Sequence, residues 1–292
     1  MAMAGCVSMV LAGCGQAKAG TALPQGEDAA AYVSAKFDST LNQLSSKMQS
    51  GDAVKTTLLT RFFIAGKGID GTLSTAQSGT GQASITHNDS NKNLNDRLDF
   101  LHPAGSPADY VLLGPLYNSL EPTPWVSMPH LAGDYGPCIT GDTYHMACKM
   151  LGAVARATKK GQAVKSAKHL ADGTVVLQAD VSLQDFQDAQ VVVIPQAVLD
   201  KTADQVHQQL IHATITITPQ GTLQQIEMVA KFPSTDKAGK DSPFDIDYHF
   251  QIVGPATPAD IPQAPDASQV TVLPDQAAVD EFNARKDKIQ GQ

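Results

Sequence analysis

The sequence predicts an α+β domain built on a single curled antiparallel β-sheet, a half-barrel of about 10–11 strands with helices covering its concave face. Three observations lead to this fold. Apolar and polar residues alternate with a period of two through most of the chain, which is typical of half-buried strands. Strands do not alternate regularly with helices, as they would in a parallel sheet. A sheet of this many strands is too long to stay flat.

Helical spacing, with apolar residues three or four positions apart, is confined to a few segments. The clearest are Glu27 to Met48 and Thr143 to Lys160. We also predict a helix over Pro195 to Gln208 and a loose helix in the charged tail from Gln276 to Lys288. The first two are expected to cover the concave side of the sheet.

The remaining segments have the two-residue period of strands and are separated by turn signals such as Asp172-Gly173. In chain order, the predicted strand segments are Val54–Ala65, Ile69–Ala76, Gln82–His87, Asn93–His102, Tyr110–Leu113, Leu116–Leu120, a short strand around Trp125, Ala163–Leu170, Thr174–Leu183, Ala189–Ile194, Leu210–Thr218, Gln224–Phe232 and Phe244–Val253. From Gly254 onward, closely spaced prolines predict an extended strap.

Composition narrows the classes of function. The chain has 292 residues, of which 42% are apolar and 17% charged, so a folded globular protein is expected. Its net charge of −8 is the opposite of what a protein that tracks a phosphate backbone needs, and we expect no nucleic-acid partner. No run of about 18 consecutive apolar residues predicts a spanning helix.

The N-terminus predicts a lipid anchor. Residues 1–13 carry no charge, and Leu11-Ala12-Gly13-Cys14 resembles the lipobox of bacterial lipoproteins, in which the cysteine is acylated. We therefore expect a signal peptide over 1–13, a flexible tether over 14–26, and attachment through Cys14 to the extracytoplasmic face of the cell membrane. Cys6 is a poorer candidate, and an apolar N-terminus with chance cysteines is the alternative.

The other two cysteines, Cys138 and Cys148, form an even pair, for which a disulfide is the natural interpretation outside the cytoplasm. A metal site made of Cys138, His145 and Cys148 is the alternative. It has three ligands, whereas structural zinc takes four. We therefore predict a disulfide and no metal.

No catalytic motif is found: the sequence lacks a nucleophile elbow, a phosphate-binding loop, a zinc-protease motif and a dinucleotide fingerprint. The eight histidines are scattered. Asp245 and Asp247 share one strand face, where plain solvation is the more ordinary role. We predict neither an enzyme nor a cofactor.

The inner face of the predicted sheet is aliphatic, and a curled sheet of this kind can be filled or hollow. Composition alone favours a filled core. A hollow one would suit acyl chains, which need only nonspecific apolar walls. The residues predicted from strand and helix periodicity to line such a cavity are Leu58, Phe62, Ile64, Leu98, Phe100, Met146, Met150, Ile215, Ile226, Met228, Tyr248 and Phe250.

The order of features from residue 27 to 273 resembles the LolA-like lipoproteins, and within them the actinobacterial LppX and LprG class. The resemblance is carried by the strand Gly68–Ala76 with its glycine hairpin, by Leu116-Tyr117-Asn118-Ser119-Leu120 leading to Trp125-Val126, and by Asp245–Phe250 before the proline-rich exit. The disulfide pair and the polar segment Asn88–Asp96 depart from the family pattern.

This resemblance implies a half-barrel domain over 27–254, followed by a proline-rich strap and tail over 255–292. It also implies a hydrophobic cavity for a lipid, a lipoglycan or another acylated ligand, so that the protein would be an anchored lipid carrier or sensor. The alternative is an anchored interaction or regulatory lipoprotein with a filled core, which binds a protein partner in the cell envelope through its strap and outer sheet face.

Overall fold

A computed structural model describes residues 27–50, 52–79, 83–130, 138, 143–160, 165–194, 198, 204–236 and 238–290 of the chain. The helices are α1 (Glu27–Ser50), α2 (Thr143–Lys159), α3 (Leu183–Asp188) and α4 (Gln276–Gln290). The strands are β1 (Val54–Ile64), β2 (Lys67–Gln77), β3 (Ser84–Ser90), β4 (Arg97–His102), β5 (Ala108–Leu113), β6 (Trp125–Pro129), β7 (Lys165–His169), β8 (Val175–Ser182), β9 (Leu210–Ile217), β10 (Leu223–Phe232), β11 (Phe244–Pro255) and β12 (Val270–Val272).

Within these residues the strands form one sheet in the order β12-β6-β5-β4-β3-β2-β1-β11-β10-β9-β8-β7. Every neighbouring pair is antiparallel except β12 and β6, which are parallel. The sheet is open and curled, and the predicted α+β fold is confirmed. Its twelfth strand, which the sequence pattern did not predict, comes from the proline-rich segment after β11.

The two-residue period of β11, which lies between β1 and β10, puts its apolar side chains on one face of the sheet. Phe244, Ile246, Tyr248 and Phe250 are all at most 2% exposed and point to one face. Ile246 lies opposite Phe62 of β1, and Phe250 lies opposite both Leu58 of β1 and Ile226 of β10. The apolar rows of three strands therefore meet on one side of the sheet.

That side, which we call the concave face, carries all four helices in the described part of the chain. Helices α1, α2 and α3 pack over β1 and β8–β11 and bury the apolar residues of a first core, among them Phe37, Leu44, Met150, Phe186 and Phe250. Helix α4 packs over β4–β6 and buries a second core made of Leu98, Val111, Leu113, Tyr117, Leu120, Val126, Leu273, Val279 and Phe282.

The opposite, convex face is covered in part by the chain that follows β11. Ile261 packs there against Ile85 and Leu101, and the backbone N–H of Ala256 donates to the carbonyl oxygen of Ala53 at 3.0 Å. The proline-rich segment thus crosses the convex face before it supplies β12 and then α4 on the concave side.

Three local predictions were wrong, and each has a backbone reason. Leu116–Leu120 is not a strand, because Pro115 begins a 3₁₀ turn over Pro115–Tyr117. Ala189–Ile194 forms turns rather than a strand, with Gln190 at a positive φ of 57°. The strand predicted from Asn93 begins at Arg97, because the preceding residues form a tight turn in which the Asp96 N–H donates to the Asn93 carbonyl.

In the predicted helix over Pro195 to Gln208, the described part at its C-terminal end is a 3₁₀ turn over Asp204–Gln208. The predicted charged tail forms the regular helix α4. Among the described residues, no helix combines the length and the apolar character needed to span a bilayer. The predicted signal peptide and tether lie outside the described residues.

Candidate functional site

A cavity of about 440 Å³ opens on the concave face between the two cores. Leu73 of β2, which packs against the first core, forms one side, and Leu98 of β4, which belongs to the second core, forms the other. Asn88 of β3 lies between them, opposite Leu73 and Leu98 in the strand register. The volume is within the range of small-molecule sites in proteins.

The walls of this cavity are apolar at the sheet and polar at its rim. Ile69, Leu73 and Leu98 supply the apolar surface. The rim is formed by residues of the β3–β4 turn, which lies within the polar segment Asn88–Asp96. The full set of lining residues is Thr60, Gly68, Ile69, Asp70, Gly71, Leu73, Asn88, Ser90, Lys92, Asn93, Asp96, Leu98 and Gln290.

Side-chain contacts fix the rim beside β2. Asp70 accepts a hydrogen bond from Asn91 Nδ2 at 2.7 Å and pairs with Arg61 Nε at 3.2 Å. Lys92 Nζ donates to the carbonyl oxygen of Gly68 at 2.9 Å and lies 4.1 Å from the centre of the Phe63 ring. These contacts connect the β3–β4 turn to the start of β2. Hydrogen bonds and an ion pair therefore fix the position of the cavity rim.

A second set of contacts closes the side beneath α4. The buried Tyr117 hydroxyl donates to the Asp96 carboxylate and accepts a hydrogen bond from Gln290 Nε2 at 2.6 Å. Burial, together with the neighbouring Asp96, raises the pKa of Tyr117 well above its ordinary value. The hydroxyl therefore keeps its proton at physiological pH and serves as a fixed donor between the cavity and the second core.

The structure places most of the predicted lining residues away from this cavity. Leu58, Phe62, Met150, Ile215, Ile226, Met228, Tyr248 and Phe250 are buried in the first core, and Ile64 and Met146 pack against it. Leu98 does line the cavity, whereas Phe100 on the same face is 43% exposed. The other predicted residues do not line a cavity because α1, α2 and α3 fill the half of the concave face that they cover.

The predicted disulfide is present. It joins Cys138 to Cys148 on α2, with the two Cα atoms 5.5 Å apart. Both thiols are therefore used in the bond and cannot act as metal-binding thiolates in this state. Cys14, the predicted lipidation site, lies outside the described residues.

A second, smaller depression of about 250 Å³ lies beside the proline-rich segment. Ala83, Ala256, Pro258 and Ile261 contribute to its mainly apolar wall. Gln77 also lines it and is fully buried, with neither amide atom bonded to another group. By the strand register Gln77 lies opposite Val54 of the first core, so its side chain is on the concave side of the sheet and not in this depression.

One cluster of metal-ligating side chains occurs among the described residues, and the sequence patterns did not reveal it. His102, Asp109 and His130 come together at the end of the concave face remote from the cavity. Their separations along the chain match no ligand motif. A signal was nevertheless present, because His102 ends one predicted strand and Asp109 directly precedes the next, and a hairpin brings such positions side by side.

The structure is similar to LprF from Mycobacterium bovis, with 10% sequence identity and a TM-score of 0.37 over 78% of this chain and 97% of that one. No family model matches the sequence, and no curated protein matches it.

Proposed function

We propose that this chain is a membrane-anchored extracytoplasmic lipoprotein that binds a lipid in the cavity between its two cores, as a carrier or sensor. The observation that carries the proposal is the cavity's position and lining. It lies where neither α1–α3 nor α4 fills the concave face, with Ile69, Leu73 and Leu98 at the sheet and polar groups at the rim.

This lining suits an amphiphile. An acyl segment would gain roughly 0.8 kcal/mol for each methylene that it buries against the apolar surface. A polar head would stay at the rim, where Ser90 and Asn93 offer hydrogen-bonding groups of both kinds. Binding of this kind needs no covalent step, and we accordingly propose a binding protein rather than an enzyme.

The alternative is an interaction lipoprotein that binds a protein partner on its convex side. It is favoured by the apolar depression beside the proline-rich segment. This site is the smaller of the two cavities, and it is walled by the segment itself. We therefore rank it second.

The first test is native mass spectrometry with organic extraction of the protein from Gly15 onward, purified from a host that makes diverse lipids. We expect a stoichiometric adduct that extracts as lipid. A bare mass in repeated preparations, with no uptake of added phospholipid, would reject lipid binding and favour the interaction protein.

A matched pair of variants locates the site. Asn88→Trp places a large ring between Leu73 and Leu98, and we expect it to reduce bound lipid at least tenfold by filling the cavity. The control is Asp89→Trp, because the next residue on the same strand is exposed on the convex face. Equal lipid content in the two variants would place the ligand elsewhere.

Anchoring is tested separately by membrane fractionation. We expect Cys14→Ser to move the protein from the membrane to the soluble fraction, and Cys6→Ser to leave it on the membrane. The reverse result would assign the anchor to Cys6, and membrane retention of both single variants would count against a lipobox at either position.

A further inference from the structure

We propose that His102, Asp109 and His130 form a binding site for a divalent transition-metal ion of the Zn²⁺ type. This inference does not depend on lipid binding. By the pleat of β4, His102 lies on the concave face four residues beyond Leu98, which is about 13 Å along the strand from the cavity. The two sites are therefore distinct.

The three side chains converge on one point. His102 Nδ1 lies 2.8 Å from Asp109 Oδ1, and His130 Nδ1 lies 2.8 Å from both carboxylate oxygens of Asp109. The two imidazole rings are stacked, with their centres 4.0 Å apart and their planes 21° from parallel. Both rings thus present the same nitrogen to a single carboxylate.

The local fold holds this arrangement. His102 ends β4, Asp109 lies at the start of β5, and the turn between them is closed by a hydrogen bond from the Ser106 N–H to the Pro103 carbonyl at 3.1 Å. His130 follows β6, and its backbone N–H donates to the Pro107 carbonyl at 3.0 Å. Two neighbouring strands therefore each supply one ligand, and the residue directly after a third strand supplies the other.

The donor set and its spacing fit such an ion. Imidazole nitrogen and carboxylate oxygen are ordinary ligands of Zn²⁺, and three protein ligands leave a fourth position for water. Tetrahedral bonds of about 2.0–2.1 Å place ligand atoms about 3.3 Å apart, so the present 2.8 Å contacts need to open by only a few tenths of an ångström.

The burial of the three side chains points the same way. The side chains of His102 and His130 are 14% and 18% exposed, and that of Asp109 is 36% exposed. The site is partly desolvated yet reachable from solvent.

Two other histidine–aspartate pairs provide matched controls. His87 Nδ1 lies 3.0 Å from Asp99, and His212 Nδ1 lies 2.6 Å from Asp180. Each pair has one histidine, and neither belongs to a group of three ligating side chains among the described residues. They reproduce the histidine–carboxylate contact without the second imidazole.

The experiment is calorimetric titration of Zn²⁺ into the purified full chain after removal of metals with a chelator, with Mg²⁺ as the comparison ion. We expect one equivalent of Zn²⁺ to bind and Mg²⁺ to give no heat, because Mg²⁺ prefers oxygen ligands. Asp109→Asn, His102→Ala and His130→Ala should each weaken Zn²⁺ binding at least tenfold, whereas His87→Ala should not change it.

Folding is checked for every variant by circular dichroism, and Asp109→Asn keeps the size and shape of the side chain. Absence of Zn²⁺ binding to the unmodified chain would overturn the proposal. So would binding that Asp109→Asn and both histidine variants leave unchanged, since the ion would then be held elsewhere. Loss of binding in His87→Ala to the same degree would also count against it.

Discussion

Tyr248 is a tyrosine buried at the centre of the sheet, where its ring packs edge-on against Phe186 of α3 with the ring centres 5.3 Å apart. Burial raises the pKa of this phenol well above its ordinary value near 10. Tyr117, at the edge of the cavity, is shifted in the same direction. The ionisation of each phenol at alkaline pH therefore affects the free energy of unfolding.

The sign of this linkage is set by the raised pKa. Below about pH 10 both phenols are neutral in the folded and the unfolded chain, and their contribution to stability is fully present. Above that pH the unfolded chain loses the phenolic protons while the folded chain keeps them. Ionisation then favours the unfolded state, and stability falls as pH rises.

We therefore predict that thermal stability falls steeply above about pH 10 and that Tyr248→Phe makes this fall shallower. One such group changes the free energy of unfolding by up to about 1.4 kcal/mol per pH unit. The measurement is the melting temperature of both proteins from pH 8 to 11. The control is Tyr110→Phe on β5, whose side chain is only partly buried. Parallel curves for the unmodified protein and Tyr248→Phe would refute the assignment.

At the scale of elements, helix α4 holds one wall of the cavity in place. Val279 and Phe282 bury its inner side in the second core. Arg285 donates to the Leu120 carbonyl at 2.7 Å and pairs with Glu121, and Gln290 reaches the Tyr117 hydroxyl. A helix with so many exposed polar residues depends on these tertiary contacts for its stability.

We predict that Phe282→Ala lowers the free energy of unfolding by about 3 kcal/mol, because it removes a large side chain from a packed core. If α4 bounds the lipid site, the same variant should also retain less lipid. Urea denaturation and extracted lipid content are the two measurements. Glu281→Ala, at the neighbouring exposed position, should change stability by less than about 0.5 kcal/mol. Similar losses in both variants would show that α4 is not packed as described.

The elements also show what a sequence pattern can predict. Alternation of apolar residues placed β1, β9, β10 and β11 correctly because each has one buried face and one face that is less buried. The same logic failed at Leu116–Leu120. Leu116 faces the second core from a 3₁₀ turn, and Leu120 faces it from a bend three residues after that turn, so neither lies in a strand. The spacing of apolar residues thus indicates which side chains are buried, whereas Pro115 determines the backbone conformation here.

At the scale of the whole molecule, the positions of the two sites could not be predicted from strand periodicity. They depend on where the helices pack on the sheet and on the order of the strands. Leu58 and Leu98 have the same parity on the concave face, yet Leu58 is packed beneath helices and Leu98 faces the cavity. His102, Asp109 and His130 come together only through the order of β4, β5 and β6. Recovering either site required the topology as well as the pattern.

The same architecture divides the molecule into two packed halves that share one sheet. The first core covers β1 and β8–β11, and the second core covers β4–β6. Between them, β2 and β3 present Gly71, Asn88 and Ser90 to the concave face, where they line the cavity instead of packing under a helix. This central region is where a bound lipid would add the most contacts.

We therefore predict that lipid slows amide hydrogen exchange in β2, β3 and the C-terminal end of α4, and leaves exchange in β8–β10 unchanged. The physical reason is that an occupant of the cavity bridges the two cores and suppresses local opening between them. Exchange measured by mass spectrometry on lipid-stripped and lipid-loaded protein provides the check, with Asn88→Trp as the unloaded control.

Protection confined to residues 256–263 would instead place the ligand in the smaller depression beside the proline-rich segment. Protection confined to β8–β10 would mean that the first core opens to admit the lipid, and the cavity between the cores would then not be the binding site.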